Sequence, residues 1–151
     1  GCTALQTVFV PSTVDSIGME AFQDCTSLSS LTLSEGIDSI CVAAFSGCTA
    51  LATVQLPESL TEIKTNAFTG CSALRAIIIP RYITEISAGC FSNCTSLCSV
   101  TLPAGVITIR NDAFRECAAL QNIILPSNTV RVADDAFEGC APGFDIIRPN
   151  E

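Results

Sequence analysis

A single period governs this chain. Phe22, Phe45, Phe68, Phe91, Phe114 and Phe137 stand 23 residues apart, and so do Cys2, Cys25, Cys48, Cys71, Cys94, Cys117 and Cys140. Leu5, Leu28, Leu51, Leu74, Leu97 and Leu120 keep the same spacing, as do Val8, Leu31, Val54, Ile77, Val100, Ile123 and Ile146. Val10, Leu33, Leu56, Ile79, Leu102 and Leu125 follow two positions later. Proline closes the series at Pro11, Pro57, Pro80, Pro103, Pro126 and Pro149, with Ser34 as the exception. A uniform period of this length restricts the chain to a stack of equivalent units, each burying its apolar face against its neighbours. About six and a half units fill 151 residues, so one repeat domain over 1–151 is expected.

Within a unit, Leu28 to Leu33 alternates apolar and polar residues, which suits a strand with one buried face. The following proline lacks an amide donor and marks the corner. Ile37 and Ile40, or Leu60 and Ile63, supply a second short extended or turn segment. The stretch Thr65 to Cys71 is too short for an ordinary helix but long enough for one helical turn that inserts Phe68 into the core. Each unit is then one coil of a solenoid. Parallel pairing of successive strands at ~4.8 Å gives a rod roughly 30 Å long.

The recurring columns Ile63, Ala67, Phe68, Cys71, Leu74, Ile77, Ile79 and Pro80 resemble the leucine-rich repeat of the BspA-like (Treponema-type) family over essentially the whole chain. The resemblance implies a right-handed leucine-rich-repeat coil with parallel strands and one short helical turn per repeat. Its members resemble adhesins that contact host matrix proteins or other cells, which implies a cell-surface or secreted setting. The shared motif marks the core, so it carries a fold and no binding residues.

Charge narrows the partner. The formal net charge is −8 with seven Lys and Arg, which disfavours binding through neutralised phosphates or an anionic membrane surface. A protein partner is expected, and neither nucleic acid nor insertion in a membrane. No apolar run approaches the roughly 18 residues that span a bilayer, and Ile77 to Ile79 stops at Pro80. Gly1-Cys2-Thr3 opens the chain without a charged and apolar leader, so a signal peptide is expected to be absent or removed. The first unit starts part-way through, at Cys2 and Leu5, which points to an uncapped end covered by further repeats or by a partner. The last unit is degenerate, with Gly143 and Arg148 where Leu120 and Leu125 predict apolar residues, and reads as a cap or a fading array.

The cysteine ladder reads as a small buried column. Parallel Cα–Cβ bonds in adjacent coils make the disulfide dihedral hard to reach, and a chain without histidine or a close C-x-x-C pair offers zinc no tetrahedral set. Cys90 replaces the alanine of the Ala67 column and also reads as core. Cys41 and Cys98 fall in polar columns and are the expected exposed thiols. Asp24, Gly47, Gly70, Asn93, Glu116 and Gly139 precede ladder cysteines, and these types point to a positive φ in that column, with Glu116 as the misfit. Asn93-Cys94-Thr95 fits both a turn asparagine and a glycosylation acceptor. Asn111 and Asp112 align with Asp134 and Asp135, a solvated face or a calcium ladder. Catalysis finds little support, since the abundant nucleophiles lack a histidine base, Lys64 is the one lysine, and carboxylate pairs on a uniformly repeated rod meet no evident cleft to raise a pKa. No cofactor or metal is expected.

The binding face is expected along the outward strand column. Phe9, Thr32, Gln55, Ile78, Thr101, Ile124 and Ile147 lie between two inward apolar columns and should line the concave side. Ile78, Thr101, Ile124 and Ile147 form an apolar strip, with Arg75 at its rim as a polar anchor. Isoleucine at these positions also suits strand propensity alone. The function expected is a protein-interaction or adhesion module. The alternative is a structural subunit of a larger permanent complex, intracellular or within an organelle.

Overall fold

The structure, a computed structural model, describes residues 1–149; the last two positions of the expected 1–151 domain lie outside the described residues. The chain is a parallel-strand solenoid of about six turns. One ladder contains Thr7–Val10, Ser30–Leu33, Ala76–Ile78, Ser99–Thr101, Asn122–Ile124 and Asp145–Ile147. A second contains Ser16–Ile17, Ser39–Ile40, Glu62–Ile63, Glu85–Ile86, Thr108–Ile109 and Arg131–Val132. Every pairing keeps the register of the repeat, as in Leu31 beside Val8 and Ile77 beside Val100. A one-residue slip would turn the buried column outward, so burial enforces the register.

The second ladder divides between Glu62–Ile63 and Glu85–Ile86, and the first is not continuous either. The third coil joins it only through a bridge between Thr32 and Gln55, and pairing resumes between Ala76–Ile78 and Ser99–Thr101, then between Asn122–Ile124 and Asp145–Ile147.

The helical turn expected before each ladder cysteine is replaced by a different path. Glu20, Ala43, Asn66, Gly89 and Asp112 have φ between 54° and 61°. Four residues later Asp24, Gly47, Gly70, Asn93, Glu116 and Gly139 have φ between 55° and 74°. Two left-handed residues in one short segment exclude a continuous right-handed helix. The backbone bonds alternate instead. The N–H groups of Glu20, Phe22 and Asp24 cross to the carbonyls of Val42, Ala44 and Ser46 at 3.0, 2.8 and 2.7 Å. Those of Ala21, Gln23 and Cys25 turn back to residues three earlier. Positive φ in the glycine-rich column thus matches the sequence reading, and the companion column is a further left-handed position. Its Asn66, Gly89 and Asp112 were the available signal.

Phenylalanine fills the core between these two columns. Phe45, Phe68, Phe91 and Phe114 are fully buried. From Phe22 to Phe137 successive rings stack at 5.3 to 5.6 Å with planes within 12°. Each such pair contributes about 0.5–1.5 kcal/mol beyond area burial. In the degenerate last coil, Gly143 (φ 79°) takes the leucine position, and Phe144 stacks on Phe137 at 4.7 Å. A residue from a polar column therefore extends the aromatic stack.

All ten cysteines are free thiols. Ladder members Cys25 through Cys117 are buried and Cys140 is partly so. They are more than apolar filler. The thiols of Cys48, Cys71, Cys94, Cys117 and Cys140 each donate to the carbonyl oxygen of the phenylalanine 26 residues earlier, at 3.2 to 3.3 Å. Cys90 is buried and Cys98 exposed, as read from sequence. Cys41 is half-buried rather than exposed, and Cys2 is the second exposed thiol.

Candidate functional site

Strand alternation aims every second side chain away from the core. Phe9, Ile78 and Ile124 are 67%, 68% and 63% exposed, Ile147 is 41% exposed, and Thr101 and Arg75 are exposed as well. Ile78 lies directly beside Thr101, and Ile124 directly beside Ile147. Phe9 stands apart from this strip, because Thr32 and Gln55 occupy the same column between it and Ile78. Five of the six residues thus cluster on coils four to seven, and Phe9 sits at the other end of the rod.

The face has little charge. Across the outward strand positions of the first six coils, Arg75 is the one charged residue, and the rest are Ser, Thr, Ala, Gln, Asn, Cys, Phe and Ile. Lys64, Arg81, Arg110 and Arg115 each form ion pairs off the outward strand column, with Glu62, Glu58, Glu85, and Asp112 and Glu138. Among the described residues Arg75 has no acidic partner. Its carbonyl accepts the amide and thiol of Cys98 at 2.9 and 3.4 Å, which ties the backbone while leaving the guanidinium in solvent.

Where the strand ladder is interrupted, a groove of about 360 Å³ opens between coils three and four, lined by Val54, Gln55, Leu56, Glu58, Ala76 and Ile78. It lies alongside the apolar strip. Sequence periodicity gives no sign of it, because the residues on both sides fit the repeat.

Other motifs resolve into turn and surface chemistry. Asn93 is exposed with φ 59°, and its amide donates to Ser92 Oγ at 3.1 Å. Asn111 Nδ2 meets both carboxylate oxygens of Asp135 at 3.0 and 3.1 Å, and Arg115 lies 3.2 Å from Asp112. Among the described residues no three His, Cys, Asp or Glu side chains converge as a metal site. Met19, Tyr82 and Ile107 are also large exposed apolar residues, off the strand column. Ile107 was legible as an outlier in the column of Asp15, Asp38, Thr61 and Thr84. No helix among the described residues is long and apolar enough to cross a membrane.

The family described as the BspA type leucine rich repeat region matches residues 15–143 in six copies. A leucine-rich repeat protein from Bacteroides ovatus superposes with a TM-score of 0.87 at 36% identity, over 91% of this chain and 36% of its own. A leucine rich cell surface protein from Faecalibacterium prausnitzii gives 0.83 at 37% identity, over 90% of this chain and 37% of its own. The T. pallidum leucine rich repeat protein gives 0.75 at 30% identity, over 94% and 72%. The chain therefore spans little more than a third of the first two. No protein of curated function matches it.

Proposed function

The chain belongs to the BspA-type leucine-rich-repeat family, a repeat class that generally mediates protein–protein interaction or adhesion, and we propose that it binds a protein partner through the outward strand face of coils four to seven. The observation that carries this reading is the pairing of Ile78 and Ile124, both more than 60% exposed, with Thr101 and Ile147 on a strand face whose charged residues are Arg75 and, on the last coil, Asp145. Exposed apolar surface stabilises nothing in the isolated fold and marks contact sites, and the concave surface of a solenoid, where the strand column is expected, is its usual binding surface. Arg75 at the rim supplies the polar contact that interfaces place around an apolar centre. Phe9 belongs to the same column at the far end and would contribute only to a partner that spans the rod.

A pull-down with the intact chain, run in parallel with the Ile78→Thr and Ile124→Thr double variant, tests the proposal. Proteins captured by the parent and lost with the folded double variant support the strand face. Identical captures remove it. The similar protein from Faecalibacterium prausnitzii is a cell surface protein, so the extracellular medium and the envelope of the source cell are the first fractions to use.

A further inference from the structure

The corners of the third, fourth and fifth coils share a tight turn. Leu60, Ile83 and Val106 donate their amides to the carbonyls of Pro57, Pro80 and Pro103 at 3.2, 3.1 and 3.2 Å. None of the central residues has positive φ, which is the type I form, and it leaves the N–H groups of both central residues without a bond inside the turn. In the third coil these two groups are filled by the chain itself. The carboxylate of Glu35, one coil earlier, accepts from Glu58 N at 3.0 Å and from Ser59 N at 3.1 Å, one oxygen each.

In the fifth coil the equivalent groups are the N–H of Ala104 and Gly105, both exposed. Among the described residues no protein acceptor meets either of them. The residue in the position of Glu35 is Arg81, whose side chain is 69% exposed. The repeat thus keeps the paired donors and replaces the internal carboxylate by a guanidinium. In the intervening coil the equivalent amides belong to Arg81 and Tyr82, and the residue in the Glu35 position is Glu58, whose carboxylate lies 3.9 Å from Arg81 Nε and takes no bond from either amide, while the Arg81 guanidinium lies 4.8 Å from the centre of the Tyr82 ring. Among these three turns the fifth coil's is the one for which a cation, Arg81, takes the Glu35 position.

We infer that Ala104 N–H, Gly105 N–H and the Arg81 guanidinium form a binding site for a carboxylate supplied from outside the chain, from an acidic side chain or a chain end. Two adjacent amides match the two oxygens of one carboxylate, as Glu35 demonstrates, and a guanidinium adds a charge-assisted bond. The site stands on the turn geometry alone and is independent of the strand-face reading. Its position is nonetheless informative. Pro103 follows Thr101 by two residues, so the site lies at the rim of the apolar strip and would favour a partner with an acidic group next to an apolar one.

The test is a titration of the 15N-labelled chain with sodium acetate at constant ionic strength, read on backbone amides. The amides of Ala104 and Gly105 should shift saturably, while those of Glu58 and Ser59, already capped, should not. Ala104→Pro removes one donor at the turn position that proline favours and should weaken acetate binding about tenfold or more. Arg81→Glu places an internal carboxylate in the cradle. It should abolish the acetate response and shift both amides before any acetate is added. A short peptide with a free C-terminus, compared with a C-amidated peptide carrying aspartate, then identifies the source of the carboxylate, and binding of either at these amides supports the site. Amides of Ala104 and Gly105 that respond to acetate no more than to chloride would overturn it.

Discussion

The Cys71 thiol donates to the carbonyl oxygen of Phe45 at 3.3 Å, and the amide of Cys48 reaches the same oxygen at 3.2 Å. One phenylalanine carbonyl thus serves its own turn and the coil above it. The arrangement recurs along the stack, so a position that sequence marks only as small and apolar is also a hydrogen-bond donor.

Because the Cys48 amide remains, Cys71→Ala leaves no orphaned carbonyl and should cost about 1–2 kcal/mol, chiefly through the lost sulfur packing. Cys71→Ser keeps a donor. It should be no less stable than Cys71→Ala in chemical denaturation. A purely apolar column predicts the reverse order, with the serine variant lower by about 1–3 kcal/mol for an unsatisfied buried hydroxyl.

Native alkylation followed by intact mass should label Cys2 and Cys98 first, Cys41 and Cys140 more slowly, and the buried thiols only after unfolding. Burial opposes the thiolate, which is the reactive form. Rapid labelling of Cys71 or Cys94 in the native protein would contradict the structure.

Burial pushes the Cys48 and Cys140 thiols up to about 11 and the Cys117 thiol up to about 12, from an ordinary value of 9.0. In the unfolded chain these groups lose their protons near that ordinary value, while in the fold they keep them. Their contribution to stability is therefore complete below about pH 8, and it is lost as pH rises through 9 towards 11 and 12. The melting temperature should be flat from pH 7 to 8 and fall above pH 9, and Cys117→Ala should fall less steeply. A parallel decline in that variant would assign the effect to other groups.

Glu116 holds φ 58° in a column otherwise rich in glycine, and Ala43 holds φ 54° in the companion column. Glu116→Gly and Ala43→Gly should each change stability by no more than about 1 kcal/mol, because relief of strain offsets the greater freedom of the unfolded chain. Gly139→Ala should destabilise, since φ is 74° and the new Cβ would lie 2.6 Å from Glu116 Cδ. Thermal unfolding of the three variants gives the order directly. A clear loss in Glu116→Gly would show that its side chain contributes more than its backbone strain costs.

Ile78→Thr with Ile124→Thr should fold as the parent does, with a stability change within about 1 kcal/mol, because both side chains project into solvent and threonine shares their β-branched preference for strands. Circular dichroism and a melting curve check this before any binding comparison is made.

The period of 23 by itself determined the solenoid, its parallel register and the identity of the buried columns, because an uninterrupted repeat leaves one way to place every Phe, Leu and Ile of a unit against the next. It also marked Ile78 and Ile124 as outward-facing and the Glu116 column as left-handed. Periodicity reports which side of the chain faces the core; it carries no information on where each backbone N–H finds its acceptor. That choice is made between coils. It decided that the Phe segment runs through two left-handed residues instead of a helical turn, and that the ladder thiols point at Phe carbonyls. It also decided that the strand ladder opens beside Gln55, that Phe144 closes over Phe137, and that Glu35 caps a turn whose counterpart at Ala104 and Gly105 stays free. Each depends on distances across the stack of a few tenths of an ångström, which only the packed coils fix.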